Sequence, residues 1–345
     1  MVADYQKWDA AGEFENPDTQ TFMVLPLLYR NLVNVGYPSE RLKRLHGVYR
    51  QSWYRNRLIM RNGRDVIRLL ADDGIPVVIL KGAALATDLY YGDTGVRSIS
   101  DVDMLVPHEL GARAVALVMS HGWESDASMP VEYFLRNYHA ANLTAGPTAS
   151  VDVHWDLLVN GHDPKADAEL WSRLRTSTLD ETEVSVFEPT DQLVHTVAHG
   201  GQGELRWIAD VVTITRSADG IDWDRFVRDI TTRRRITQAR ANLAAVEYVM
   251  PGTVPPWVVD TLAKAPRSLA DRVIVHPEGG TTRAESLRNM LVLSLQRTRN
   301  RPWKSRAVAT RDAVLETTRT DSIIEAGRAV AGAVLKGTPS SRRKP

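Results

Sequence analysis

Apolar residues recur at intervals of three and four through Phe22, Leu25, Leu28, Leu32 and Val35, which is the repeat of one helix face. Pro38-Ser39 then caps a second predicted helix, with Leu42 and Leu45 on its apolar stripe. A longer one is expected from about Val48 to Ala71, stopped at Asp72-Asp73-Gly74. Residues 1–20 are polar and carry no clear period. Beyond Gly74 the pattern shortens. Brief apolar runs predict strands at Val77–Leu80, Asp101–Val106, Ala140–Leu143, Ser150–Trp155 and Val184–Phe187. Between them, helices are predicted at Ala83–Tyr91 and His108–His121, with a further helical piece around Ala168–Leu174 after a polar insert over 160–167. From Pro189 the pattern is helical again: Gln192–His199 with Thr190 and Asp191 as N-terminal caps, then Leu205–Arg216, Trp223–Arg235, Gln238–Val249 and a helix opened by Pro255-Pro256. Residues 265–283 read as loop-rich, Glu285–Leu295 as helical. The layout predicts an α+β protein: a helical N-terminal region over 1–74, a mixed core over 75–189, a helical C-terminal region over 190–336, and a polar, basic, disordered tail over 337–345.

Composition narrows the chemistry. The chain has 345 residues and a net charge of +1, so nothing pulls it as a whole toward nucleic acid or a membrane surface. It contains no cysteine, which removes disulfides and thiolate metal sites. The first residues lack a secretory layout, and no apolar run approaches the roughly 18 residues of a membrane helix. A cytoplasmic protein using hard cations is the expectation.

Two acidic strands are the most informative feature. Alternation puts Asp101 and Asp103 on one face of their predicted strand, with Val102 and Met104 on the other. The later run Ser150–Asp156 puts Asp152, His154 and Asp156 on one face and Val151, Val153 and Trp155 on the other. Adjacent carboxylates beside apolar residues repel one another and resist desolvation; a divalent cation between them removes both costs. An all-oxygen set of this kind suits Mg²⁺, with Mn²⁺ as the alternative ion.

These residues also carry a resemblance. Leu80-Lys81-Gly82-Ala83-Ala84-Leu85, Arg97-Ser98-Ile99-Ser100-Asp101-Val102-Asp103-Met104-Leu105-Val106 and Val151-Asp152-Val153-His154-Trp155 resemble the motifs of bacterial uncharacterised nucleotidyltransferases within the polymerase-beta-like superfamily. The likeness extends more loosely to Asp191, His195 and His199 and to the run Leu205–Asp210. It implies a nucleotidyltransferase fold, a small mixed sheet with helices. It implies Asp101, Asp103 and Asp152 as catalytic metal ligands, and nucleotide contacts at Lys81, Gly82, Ala83, Arg97 and Ser100. Gly82 would let a triphosphate approach a helix N-terminus; Lys81 and Arg97 would neutralise phosphate. Where many superfamily members carry Gly-Gly or Gly-Ser, this chain has Gly82-Ala83, so no side-chain hydroxyl serves phosphate there.

Several residues keep two readings. Arg97 either meets phosphate or forms an ion pair that holds the loop before Asp101. His154 reads as a structural histidine in preference to a ligand. His195 and His199 are four apart on a predicted helix without the glutamate of a zinc-protease motif, and read as domain packing or as cleft lining. Asp210 reads as capping or pairing. Arg233-Arg234-Arg235 and the arginines and lysine around Trp303 read as solvated faces in preference to RNA contacts. The activity implied is transfer of a nucleoside monophosphate from an NTP to an acceptor hydroxyl on a small molecule, peptide or protein, releasing pyrophosphate. The alternatives are a non-catalytic, antitoxin-like nucleotide-binding module and a tRNA-modifying toxin.

Overall fold

In a computed structural model, residues 2–268 are described apart from 91, 126–137, 147, 160 and 201–204, together with 271, 307, 308, 311, 322 and 325. The predicted helix at 285–295, the basic cluster around Trp303 and the predicted tail lie outside the described residues.

The N-terminal region folds as Val2–Ala10 (α1), Thr19–Asn34 (α2) and one helix of 31 residues, Leu42–Asp72 (α3), the last two on the apolar stripe. The two helices predicted after Pro38 are thus continuous. Gly47 does not interrupt them, because an interior glycine costs only about 1 kcal/mol against a long buried face. α1 escaped the periodicity because tertiary contact holds it: Tyr5 is buried with Leu32 and Leu45, and its hydroxyl lies 2.6 Å from Ser39 Oγ.

Among the described residues the core is a seven-stranded mixed sheet. Its strands are Val78–Ile79 (β1), Val102–Leu105 (β2), Glu124–Ser125 (β3), Ala140–Thr144 (β4), Ser150–His154 (β5), Arg175–Leu179 (β6) and Thr182–Val186 (β7). Their order across the sheet is β3-β4-β5-β2-β1-β7-β6. β2 runs parallel to β5 and antiparallel to β1. β6 was not predicted, being a polar edge strand. Its hairpin to β7 turns on Asp180 and Glu181 at φ 48° and 68°, the left-handed pair of a tight hairpin that usually shows itself as Asn-Gly. Arg57 and Arg64 of α3 hold Asp180 at 3.0 and 2.8 Å, helping to fix that turn.

Alternation along β2 and β5 divides two layers. Val102, Met104, Val151 and Val153 face α3 and Gly111–Ser120 (α5), packing on Ile59, Val66, Leu70, Ala114 and Val118. α3 approaches closely because Gly63 has no side chain: a Cβ there would sit 2.5 Å from Val102 Cγ2. The other face carries Val78, Leu80 and Leu105 against Pro189–His199 (α7) and Arg206–Thr215 (α8), through Leu193, Val197 and Val211. Trp223–Thr232 (α9), Ile236–Val249 (α10) and Pro256–Lys264 (α11) complete that layer. Each fully buried aliphatic side chain contributes roughly 1.5–3 kcal/mol, so both layers are bound strongly to the sheet.

Three local expectations are corrected. Glu188, not Thr190 or Asp191, caps α7; the Asp191 carboxylate is taken by Arg173 at 2.9 Å. The helix Pro164–Trp171 (α6) starts earlier than predicted, under the cap of Asp163. Arg233 and Arg235 are not on a solvated face: both are buried, Arg233 on Asp167 and Arg235 on the Val159 carbonyl. Among the described residues no helix is long and apolar enough to cross a membrane.

Candidate active site

Sheet register brings the two acidic strands together. Asp103 and Asp152 are direct Cα partners on the parallel strands β2 and β5, facing α7 and α8 on the side opposite α3. His154 spans them: its Nε2 lies 3.2 Å from Asp103 Oδ1 and 3.1 Å from Asp152 Oδ2. β1 reaches the same spot from the other side. The Leu80 amide donates to the Asp103 carbonyl at 2.9 Å, and the chain then turns through Lys81 at φ 47°, a left-handed conformation rare for a side-chain-bearing residue. The turn opens the helix Lys81–Thr87 (α4) and sets Lys81 Nζ 2.5 Å from Asp103 Oδ1.

A cleft of about 230 Å³ opens between this turn, the loop before β2, and α7 with α8. Lys81, Gly82, Arg97, Ser100, Asp101, Asp103, His195 and His199 all line it, together with Thr196, Arg206, Trp207 and Asp210. Asp152 and His154 meet it only through Asp103, although the Asp152 side chain keeps 22% exposure.

Other placements depart from expectation. Ala83 is withdrawn from the cleft: helical phase turns its side chain into the core beneath the sheet, at 1% exposure. Gly82 is needed for a different neighbour than phosphate. A Cβ there would lie 2.1 Å from Arg97 Nη1 and 2.4 Å from Ile99 Cγ2, so the bare backbone makes room for the protein's own loop. Arg97 takes the ion-pair reading. Its Nε and Nη2 each meet the buried Asp210 carboxylate at 2.8 Å, tying the loop before β2 to α8. Asp156 leaves the shared face, because β5 ends at His154; the carboxylate turns to His108 and His162 instead. The ligand atoms of Asp103, Asp152 and His154 lie within 4.8 Å of one another, and Asp101 is not in that group. It sits at the cleft mouth, accepting a 2.9 Å hydrogen bond from Ser100 Oγ.

Sequence reasoning missed two positioning residues. Asn56, fully buried on α3, donates to the Thr94 and Arg97 carbonyls at 2.5 and 2.7 Å and accepts from the Ile99 amide at 3.1 Å. A polar residue on an apolar helix stripe was the available signal. Arg206 donates to the Ser98 carbonyl at 2.6 Å, and nothing in its surroundings in sequence marks that contact.

The electrostatics follow from burial against charge. Burial alone would raise the Asp103 carboxyl, but the His154 hydrogen bond and the Lys81 ammonium hold it far below its usual range. The same histidine lowers Asp152 against its own burial. His154 is raised, because its bonds to both carboxylates outweigh desolvation. Asp101 is raised by burial first and by the Asp103 charge second. His195 and His199 are depressed by burial, His199 to about 4, so both are neutral at pH 7.

The donor chemistry fits a hard divalent cation. Asp103 and Asp152 offer converging carboxylate oxygens, the ligands Mg²⁺ and Mn²⁺ prefer. A ligating histidine usually anchors its second nitrogen on an acceptor, whereas His154 Nδ1 is buried with no hydrogen-bond partner among the described residues. His154 therefore suits orienting the two carboxylates better than coordination. The chain is similar in structure to an antigenic nucleotidyltransferase-like protein from Paracoccidioides brasiliensis known from a crystal structure, at 15% identity, 63% coverage of this chain, 95% of that one and a TM-score of 0.31. No curated protein matches it. Residues 20–249, two-thirds of its length, match the model of one family, and the chain accordingly belongs to the uncharacterised nucleotidyltransferases.

Proposed function

We propose that the protein transfers a nucleoside monophosphate from an NTP to an acceptor hydroxyl, with Asp103 and Asp152 as the metal-holding pair and Asp101 assisting at the cleft mouth. The in-register pairing of Asp103 with Asp152, beside the Lys81 ammonium, carries this reading. A bound Mg²⁺ or Mn²⁺ would supply Lewis-acid stabilisation of the charge that develops on the phosphate oxygens. Lys81 and Arg206 line the cleft and would neutralise the triphosphate tail. His195 borders the cleft with its Nε2 buried and unpartnered among the described residues, leaving it to meet substrate as a neutral group. The acceptor oxygen forms its bond to the α-phosphorus while the bond from that phosphorus to the bridging oxygen breaks, and pyrophosphate departs with the electron pair. The hydroxyl proton leaves to water, a loss that the negative charge of the Asp103 and Asp152 carboxylates would favour.

Arg97 is held by Asp210, and so acts as a loop anchor more than as a phosphate ligand. Burial of Arg233 and Arg235 takes them away from any RNA surface, which favours a small-molecule, peptide or protein acceptor. The test is pyrophosphate release from α-labelled NTP with MgCl₂ and the polar-metabolite and peptide fractions of the producing cell, followed by identification of the labelled product. Release that depends on one fraction and is lost in Asp103→Ala and Asp152→Ala supports the assignment. Release that continues unchanged in both variants removes the site from the chemistry.

A further inference from the structure

A second cluster of ligand-type side chains lies at the other end of the two catalytic strands. His108 opens the short 3-10 turn His108–Leu110, three residues beyond the end of β2. Asp156 lies two residues beyond the end of β5, and His162 returns on the loop that leads to α6. His108 Nδ1 is 2.7 Å and His162 Nδ1 3.0 Å from the same oxygen, Asp156 Oδ1. The imidazoles stack face to face, with centroids 3.9 Å apart and planes 29° from parallel, so both nitrogens converge on one point. Asp167 Oδ2 stands 3.8 Å from His162 Nδ1, and Arg233 holds the other oxygen of that carboxylate at 2.9 Å.

We propose that His108, Asp156 and His162, with Asp167 as a fourth ligand, form a transition-metal site that clamps the exits of β2 and β5. Two imidazoles and carboxylate oxygens are a donor set for Zn²⁺, Mn²⁺ or Fe²⁺ and not for Mg²⁺, which prefers oxygen throughout. This separates the site chemically from the Asp103–Asp152 pair. Burial grades inward from a 31% exposed His108 side chain through His162 to an Asp156 side chain at 2%, giving an entry path and a dry base. Two carboxylates, Asp156 and Asp167, face one arginine, Arg233, a carboxylate excess that a divalent cation would offset. The ion would join the segment after β2 to the loop after β5, and so stiffen the pairing that sets Asp103 beside Asp152. Without a metal, the same geometry would be one hydrogen bond between His108 Nδ1 and Asp156 Oδ1, with His162 Nδ1 in close contact with that oxygen but without hydrogen-bond geometry.

The two alternatives separate in a metal titration. Chelator-stripped full-length protein carrying Asp103→Asn and Asp152→Asn, which disables the cleft carboxylates, is titrated with ZnCl₂ by calorimetry and with CoCl₂ by visible absorption. One equivalent of zinc, a cobalt spectrum of four-coordinate nitrogen and oxygen ligation, and a rise in Tm with zinc are expected. In that background His162→Gln, and separately His108→Gln at its more exposed position, weaken zinc at least about tenfold, and neither gains Tm from zinc. The unsubstituted protein, titrated in parallel, gives the same cobalt spectrum whether or not the variants fold. Absence of zinc heat and cobalt absorption in both proteins overturns the site, as does affinity undiminished in both histidine variants.

Discussion

Replacing Asp210 by Asn tests whether Arg97 anchors the active-site loop. The side chains of Arg97 and Asp210 are only 13% and 3% exposed, and two contacts of 2.8 Å join the guanidinium to the carboxylate. A pair about 4 Å apart between charge centres, in a medium of effective dielectric near 20, is worth about 4 kcal/mol before desolvation. Leaving one buried partner uncompensated costs about 3–5 kcal/mol. Asp210→Asn keeps the shape of the side chain and removes the charge, so a loss of about 3 kcal/mol is expected. Urea unfolding followed by circular dichroism measures it, with Arg97→Met and the double variant completing a cycle. The double variant is expected to be more stable than the two single losses added together, by about 2 kcal/mol. A coupling near zero, with Asp210→Asn within about 0.5 kcal/mol of the parent, would refute the anchor and return Arg97 to the list of groups free for phosphate.

Two further outcomes follow from the same geometry. Gly82→Ala places a Cβ 2.1 Å from Arg97 Nη1 and 2.4 Å from Ile99 Cγ2, so it is expected to destabilise by about 1–3 kcal/mol, seen as a lowered Tm; an unchanged Tm contradicts the packing. His199 has a folded pKa depressed to about 4 from 6.5, so its contribution to stability is present above pH 6.5 and is lost as pH falls toward 4. That share is about 2 kcal/mol after allowing for partial exposure, and His199→Gln is expected to flatten the fall in stability over this window; an identical slope in the variant would be inconsistent with a neutral, half-buried His199.

What could be read from sequence was local. Alternation along Asp101–Val106 and Ser150–Trp155 separated the acidic face from the apolar one; that division holds for Asp103 and Asp152 against Val102, Met104, Val151 and Val153, whereas Asp101 lies before β2 begins and outside the cluster. The pairing of β2 with β5 joins segments some 50 residues apart, and no periodicity encodes it. Arg97 left two readings open for the same reason: its partner Asp210 is 113 residues away. Ala83 was placed at the nucleotide by motif position, but the phase of α4 decides where it points, and that phase is set by the left-handed turn at Lys81. Asp156 followed the alternation of its strand only on paper, since the strand stops two residues earlier. α1 and β6 were missed because each is fixed from outside, α1 by the packing of Tyr5 and the β6 hairpin by Arg57 and Arg64.

The claim that Asp103 and Asp152 form a cation-dependent nucleotide site is tested most directly by calorimetric titration with a non-hydrolysable NTP, with and without Mg²⁺. The parent protein is expected to bind at least about tenfold more tightly with the ion, and Asp103→Asn and Asp152→Asn are each expected to lose that gain. Equal affinity with and without Mg²⁺, or a gain that survives in both variants, would contradict it.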